Sequence, residues 1–119
     1  MTAMKNILFG ILSLSLFGLA SCGTKESPET AASVMLDKSK SLLQDGNYDA
    51  ARDTILSMRK KHPAAVDTRA RGILLLDSIE MLAARDSMGS ATGDEWKRLQ
   101  MKATFYERKL QEDHNKLAR

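Results

Sequence analysis

The sequence predicts an all-α protein, and three observations support this fold class. Residues that favour helices, among them Ala, Leu, Met, Lys, Arg and Glu, dominate the chain. Apolar residues recur at spacings of three and four, which is the period of a helix with one buried face. Gly and Pro are few, at 7 and 2 in 119 residues, and most fall between these periodic segments. We therefore expect a helical hairpin followed by two further helices, of which the last is long and coiled-coil-like.

The charge pattern limits the classes of partner. The formal net charge is +3, and charges of opposite sign alternate along the chain. A nucleic-acid-binding protein usually concentrates its basic residues on one face or in one run. We therefore predict no nucleic-acid partner.

An apolar segment without charged residues lies at the N-terminus. Lys5 precedes a run of 14 residues, 7–20, which is the length of a signal-peptide core and short of the roughly 20 residues that span a membrane. The run ends in Leu19-Ala20-Ser21-Cys22, and Cys22 is the chain's single cysteine. A disulfide within the chain is therefore impossible.

This ending resembles the lipobox of bacterial lipoproteins, in which an aliphatic residue and two small residues precede a cysteine. The resemblance implies a signal peptide over 1–21, cleavage between Ser21 and Cys22, and a covalent lipid on Cys22 that includes palmitate-like acyl chains. It also implies an envelope protein without another cofactor. Gly23 stands where an Asp commonly signals inner-membrane retention, which favours the outer membrane. Lys25-Glu26 is similar to the export signals of Bacteroidetes-type surface lipoproteins, and both periplasmic and surface-facing display stay open.

A short polar segment, 22–28, is predicted to be a flexible tether that links the lipid to a helical domain over 29–119. Ser27 can cap a helix that begins at Pro28, and Glu29 suits its positive end. This first helix is expected over 28–45. Its predicted apolar face consists of Ala31, Val34, Met35, Ser39 and Leu42, with Leu43 beside it.

A second helix is expected over 48–61. Gly46 is predicted to end the first helix in a left-handed conformation, and Asn47 to cap the second. The second helix has a regular apolar face formed by Tyr48, Ala51, Ile55 and Met58. Pro63 makes the preceding residue unfavourable for helix and ends the segment.

The segment 32–65 resembles a tetratricopeptide repeat. The residues that carry the resemblance are Ser39, Leu42, Gly46, Tyr48, Ala51, Ile55 and Pro63. It implies an antiparallel helical hairpin in which the small residues Ser39 and Ala51 lie where the helices cross. The sequence departs from the family's pattern at Met35, where a Trp is frequent, and at Met58, where a small residue is preferred. A generic antiparallel helix pair is the alternative.

A third helix, expected over 64–86, is predicted to be the centre of the core. Its apolar face is unusually broad, which indicates contacts from more than one side. Gly72 is expected to allow close approach to the preceding hairpin. The apolar face comprises Leu75, Leu76, Ile79, Leu82 and Ala83, extended by Ala70, Ile73 and Leu74.

A fourth helix is expected over 92–117, with Thr92 and Glu95 forming a capping box. Its apolar side repeats at spacings of three and four, which defines a heptad seam with one polar member, Asp113. The seam consists of Trp96, Leu99, Ala103, Tyr106, Leu110, Asp113 and Leu117. It either packs back on the second and third helices or binds a partner. In the second case the candidate interaction surface is Trp96, Leu99, Tyr106 and Leu110.

No catalytic or metal-binding pattern accompanies these helices. His62 and His114 are isolated, without a second ligand at metal-binding spacing. Ser57 and Lys60 match a Ser-x-x-Lys pattern, but the motifs that accompany it in penicillin-recognising enzymes are missing. We therefore expect a protein that is not an enzyme, with no metal and no small-molecule substrate.

The sequence thus favours a membrane-anchored interaction module in the cell envelope. Its partners would be membrane lipid through Cys22 and an envelope protein. The alternative is a structural or accessory lipoprotein that self-associates through its C-terminal helix.

Overall fold

The computed structural model describes residues 27–119, which form four helices. They are α1 (Pro28–Gln44), α2 (Tyr48–Lys61), α3 (Val66–Met88) and α4 (Gly93–Leu117). The described residues contain no strand, which confirms the predicted fold class. The first helix begins at Pro28, as the sequence predicts. The predictions for the signal peptide and Cys22 lie outside the described residues.

The connection between α1 and α2 forms as the sequence predicts. Ser27 caps α1 by accepting a hydrogen bond from the Thr30 amide at 3.2 Å. Gly46 adopts a φ of 76°, a left-handed conformation that a residue with a side chain rarely takes. Asn47 then caps α2 through the Ala50 amide at 3.4 Å. These local interactions fix where both helices begin.

Small residues bring α1 and α2 together in an antiparallel hairpin. Ser39 and Ala51 are both fully buried. The Ser39 hydroxyl donates to the Ala51 carbonyl at 2.8 Å, so its burial leaves no unpaired donor. The predicted positions of close approach are confirmed.

The buried face of α1 differs from the prediction. Val34 is 63% exposed, whereas Ala32 and Leu36 are buried. The buried face is centred on Ala32, Leu36 and Ser39, because α1 packs against both α2 and α3. Val34 lies on a side of α1 that is not part of this face. On α2, by contrast, Ala51, Ile55 and Met58 are all buried as expected.

The third helix is the centre of the molecule and contacts each of the other three. Gly72 lies against α2, where a Cβ atom on this glycine would come within 2.7 Å of Met58 Cε. Met58 is one of the residues at which the sequence departs from the repeat pattern. Because Gly72 has no side chain, it leaves room for Met58. The large residue on α2 is thus accommodated by a glycine on α3.

Residues 63–65 form a turn, so α3 begins at Val66 rather than at 64. Its N-cap, Ala65, offers no side-chain acceptor. Glu29 on α1 supplies one instead and accepts from the amides of Asp67 at 3.0 Å and Thr68 at 2.9 Å. A carboxylate at a helix N-terminus satisfies free amides and complements the helix dipole.

The fourth helix packs on α3 alone among the described helices. The predicted capping box is wrong, since the Thr92 side chain caps no amide and the Glu95 carboxylate pairs with Arg98. Gly93 takes a φ of 61° at the first helical position, which turns the chain differently from a standard cap. The third helix also continues to Met88, so the loop is shorter than expected. Ala103 is the one residue of α4 that is buried.

Candidate functional site

A group of charged side chains lies between α3 and α4. Asp77 on α3 is only 2% exposed. Lys109 on α4 donates from Nζ to Asp77 Oδ1 at 3.1 Å and to Asp113 Oδ2 at 2.7 Å. One lysine therefore joins two carboxyl groups across the helix pair.

Burial raises the pKa of the Asp77 carboxyl, and the adjacent Asp113 carboxyl raises it further, while Lys109 opposes both effects. Asp77 Oδ2 is buried and has no hydrogen-bond partner among the described residues when the group is charged. A proton on Asp77 resolves this, because it can be donated to Asp113. The hydrogen bond from Lys109 lowers the pKa of Asp113, and the bond with Asp77 contributes in the same direction. The two pKa shifts run in opposite directions, so Asp77 is the carboxyl of the pair that takes up a proton first as the pH falls.

A second charged group joins three helices. Glu80 on α3, 8% exposed, pairs with Arg52 on α2 and lies 3.4 Å from Lys102 on α4. Arg52 also pairs with Asp49 at 2.8 Å. The hydrogen bond to Glu80 raises the pKa of Arg52. These contacts leave Glu80 with a cation on each side, as a buried charge requires.

The two groups hold helices together and do not form an open reaction centre. Asp77 and Glu80 are nearly covered, and their partners are cations rather than a nucleophile. Within residues 27–119, no cluster of three or more His, Cys, Asp or Glu side chains is placed to hold a metal ion. His62 and His114 lie apart, on different helix ends. What the arrangement can do chemically is take up a proton on Asp77 more readily than on Asp113.

Sequence reasoning did not find Asp77 and Glu80 as buried residues. The available signal was Asp113, the polar member of the heptad seam, because a polar group on a packed face needs a partner opposite. Its partner lies 36 positions earlier in the sequence and becomes adjacent only when the helices pair.

The candidate interaction surface lies mostly on the side of α4 that packs on α3. Leu99, Tyr106 and Leu110 are partly buried, whereas Trp96 is 37% exposed at the start of the helix. The sequence left open whether the seam packs within the chain or binds a partner, and in the structure it packs within the chain. It packs on α3 alone and not on both α2 and α3. Trp96 is the member of the candidate surface that stays most accessible.

The opposite side of α4 carries apolar side chains that no other described element covers. Met101 is 73% exposed and Phe105 59%. Together with Gln100, Thr104 and Arg108 they line a shallow groove. We call Lys97 and these five residues the outer face. The sequence signal for it was present, since Met101 and Phe105 lie off the heptad seam.

Cys22, the predicted lipidation site, lies outside the described residues. None of the helices over 27–119 combines the length and the apolar character that crossing a membrane requires.

Comparison of the chain with protein-family models, with curated proteins and with solved structures finds no match.

Proposed function

We propose that the chain is a bacterial lipoprotein whose helical domain is a non-enzymatic protein–protein interaction module of the cell envelope. The observation that carries the proposal is the sequence Leu19-Ala20-Ser21-Cys22 directly after a 14-residue apolar run. The signal peptide would be removed before Cys22, and acyl chains such as palmitate would hold the protein in a membrane. The outer membrane is favoured because Gly23 follows the cysteine, at the position where an Asp commonly signals inner-membrane retention.

A lipid on Cys22 would define both the location and the local concentration of the domain. Each buried CH₂ group contributes about 0.8 kcal/mol to anchoring, so two or three chains hold a protein stably. The polar segment 23–27 would then keep the helical domain close to the membrane. Weak contacts with neighbouring proteins gain strength from this confinement.

The role as an interaction module is supported by how α4 is held. This helix packs on one neighbour only, so much of its surface stays available. Trp96 is 37% exposed next to the loop that joins α3 to α4. Trp combines a large apolar surface with one polar group and is enriched among residues that dominate binding energy. We place the contact with an envelope protein at the end of the α3–α4 pair where the connecting loop lies.

The anchor is tested by metabolic labelling with palmitate in a bacterium that processes lipoproteins. Cys22→Ala is expected to abolish the label. Ser21→Ala keeps a small residue before the cysteine and is the matched control, which should label like the natural chain. Equal label in the Cys22→Ala variant and the natural chain would disprove the anchor.

The interaction is tested by replacing Trp96 with a photo-crosslinking residue and irradiating intact envelopes. We expect a discrete adduct with one other envelope protein. The control carries the same crosslinker at the exposed position Ser41 on α1. An adduct of twice the chain mass would support the alternative, self-association through the C-terminal helix. The absence of any adduct specific to position 96 would contradict both.

A further inference from the structure

We propose that the outer face of α4 rests on an anionic phospholipid surface. The surface is that of the membrane in which the lipid on Cys22 would be inserted, so this inference relies on the anchor of the proposed function. It adds a second membrane contact, through the folded domain itself.

The apolar part of the outer face consists of two side chains one helical turn apart. Met101 is 73% exposed and Phe105 59%, whereas Ala103, on the opposite side of α4, is buried against α3. A helix that lies in a membrane interface has this arrangement, with large apolar side chains that point away from the protein. Phe105 also contacts the ring of Tyr106 edge-on at 5.1 Å, which limits its freedom.

The charges beside these side chains are positive. Lys97 and Arg108 flank Met101 and Phe105 and form no ion pair with any residue of 27–119. Glu107 pairs with Arg85 on α3 at 3.6 Å. The exposed acidic residues of this face, Asp94 and Glu112, lie farther out along the helix, and Glu112 lines a groove with Phe105 and Arg108. The charges nearest to the two apolar side chains are therefore basic. Basic residues beside an anionic leaflet each contribute attraction that falls off within a Debye length.

The same charges disfavour a second copy of the chain on this face. An antiparallel copy that places Met101 against Thr104 also places Lys97 opposite Arg108, and neither of these two has an ion-pair partner among residues 27–119. Like charges in such positions are repulsive. An anionic lipid surface attracts these basic residues, whereas a second basic face would repel them.

The connectivity puts the face within reach of the anchor. Glu29, at the start of α1, binds Thr68 at the start of α3, and Leu117, at the end of α4, lines the same groove as Asp67. The start of α1 and the end of α4 therefore lie at one end of the molecule. The five residues 23–27 span about 17 Å when extended, more than a helix diameter. Confinement by the anchor makes even a weak surface contact effective.

The test uses the lipidated full chain in vesicles of phosphatidylcholine, with and without phosphatidylglycerol. Thr104→Cys places a thiol in the groove, and because a lipidated Cys22 has none free, an environment-sensitive NBD label attaches there alone. We expect the emission to shift to shorter wavelength and to brighten in anionic vesicles only. The same label on Ser41→Cys, an exposed position on α1, should not respond.

Charge variants give the matched comparison. Lys97→Gln combined with Arg108→Gln is expected to lower the equilibrium constant for the lipid-bound state about 10- to 30-fold. Lys60→Gln combined with Lys61→Gln removes the same charge from exposed positions on α2 and should leave the NBD response unchanged. Met101→Gln combined with Phe105→Gln should also abolish the response. All of these positions are exposed, so the fold is retained.

Three outcomes would overturn the inference. One is an equal NBD response in both vesicle types, and another is an equal loss in the two pairs of charge variants. The third is a response that depends on the density of protein in the vesicle rather than on its lipid, which would indicate a second copy. Failure of the anchor looks different, because the protein would not float with vesicles of either type and Cys22 would itself take the label.

Discussion

The two sides of α3 are packed by different means. Against α1 and α2 the packing is apolar and close, with Gly72 of α3 lying against Ile55 and Met58 of α2. Against α4 it buries Asp77 and Glu80, and α4 itself buries only Ala103. The first interface is fixed by close packing, which tolerates little change, whereas the second relies on ion pairs whose strength depends on protonation. The hairpin and the start of α3 thus form a rigid base, whereas α4 is held by a partly buried apolar seam together with ion pairs.

Truncation of apolar side chains should separate the two interfaces most clearly. Ile55→Ala removes a fully buried side chain and is expected to lower the free energy of unfolding by about 2–5 kcal/mol. Leu110→Ala, the matched change on α4, is expected to cost about 1 kcal/mol because Leu110 is only partly buried. Urea denaturation followed by circular dichroism measures both. Equal losses would show that the α4 interface is as tightly packed as the base.

The contact between Gly72 and Met58 gives the next largest effect. Gly72→Ala should gain less than the ~1 kcal/mol that Ala gains over Gly at an open helical position, because the new Cβ would lie 2.7 Å from Met58 Cε and the buried end of that side chain must shift. In a Met58→Ala background the same change should stabilise, since Ala is favoured over Gly in a helix by about 1 kcal/mol. The double-mutant cycle is expected to give a coupling of about 1–2 kcal/mol. A coupling near zero would contradict the argument that Gly72 makes room for Met58.

The rigid base was largely predictable from sequence because its signals are local. The cap at Ser27, the left-handed Gly46 and the small pair Ser39 and Ala51 each depend on residues near in sequence or on a known repeat pattern. The exception is Val34, which fits a helical period but lies outside the face chosen by packing against two neighbours.

The charged interface could not be predicted in the same way. Asp77 and Glu80 are polar residues at positions whose burial is decided by the placement of α4. Glu29 caps a helix that begins 37 positions later, which no local motif encodes. The outer face lies between these cases, because the positions of Met101 and Phe105 off the heptad seam are visible in the sequence, but their exposure follows only once the seam is known to pack on α3.

The opposite pKa shifts of Asp77 and Asp113 predict an unusual pH dependence at the charged interface. The raised pKa of Asp77 means that its contribution to stability is present below the usual Asp pKa and is lost as pH rises through the raised value. The contribution of Asp113 to stability has the opposite pH dependence. Because its pKa is lowered, this contribution is present above the usual Asp pKa and is lost as the pH falls through the lowered value. Asp77→Asn keeps a donor toward Asp113 without a buried charge. It is therefore expected to stabilise the protein by about 1 kcal/mol at about pH 7.

The gain from Asp77→Asn should shrink as the pH falls through the raised pKa of Asp77, because the natural side chain then takes up a proton itself. Thermal unfolding at a series of pH values measures it. Asp113→Asn is the control and should destabilise at neutral pH, because Lys109 loses its nearer partner at 2.7 Å. A gain that does not change with pH would contradict the raised pKa of Asp77.

The smallest expected effect concerns Glu29, which belongs to the base but depends on charge. The hydrogen bond from the Thr68 hydroxyl lowers the pKa of Glu29, and the amides of Thr68 and Asp67 act in the same direction. Its contribution to stability is thus present above the usual Glu pKa and is lost as pH falls through the lowered value. Glu29→Gln should reduce stability at neutral pH and weaken the acid dependence. Glu112→Gln makes the same change at an exposed position without an ion pair among residues 27–119 and should leave the unfolding midpoint unchanged. If the two variants unfold alike at every pH, Glu29 does not cap α3, and the acid sensitivity of the fold belongs to α4 alone.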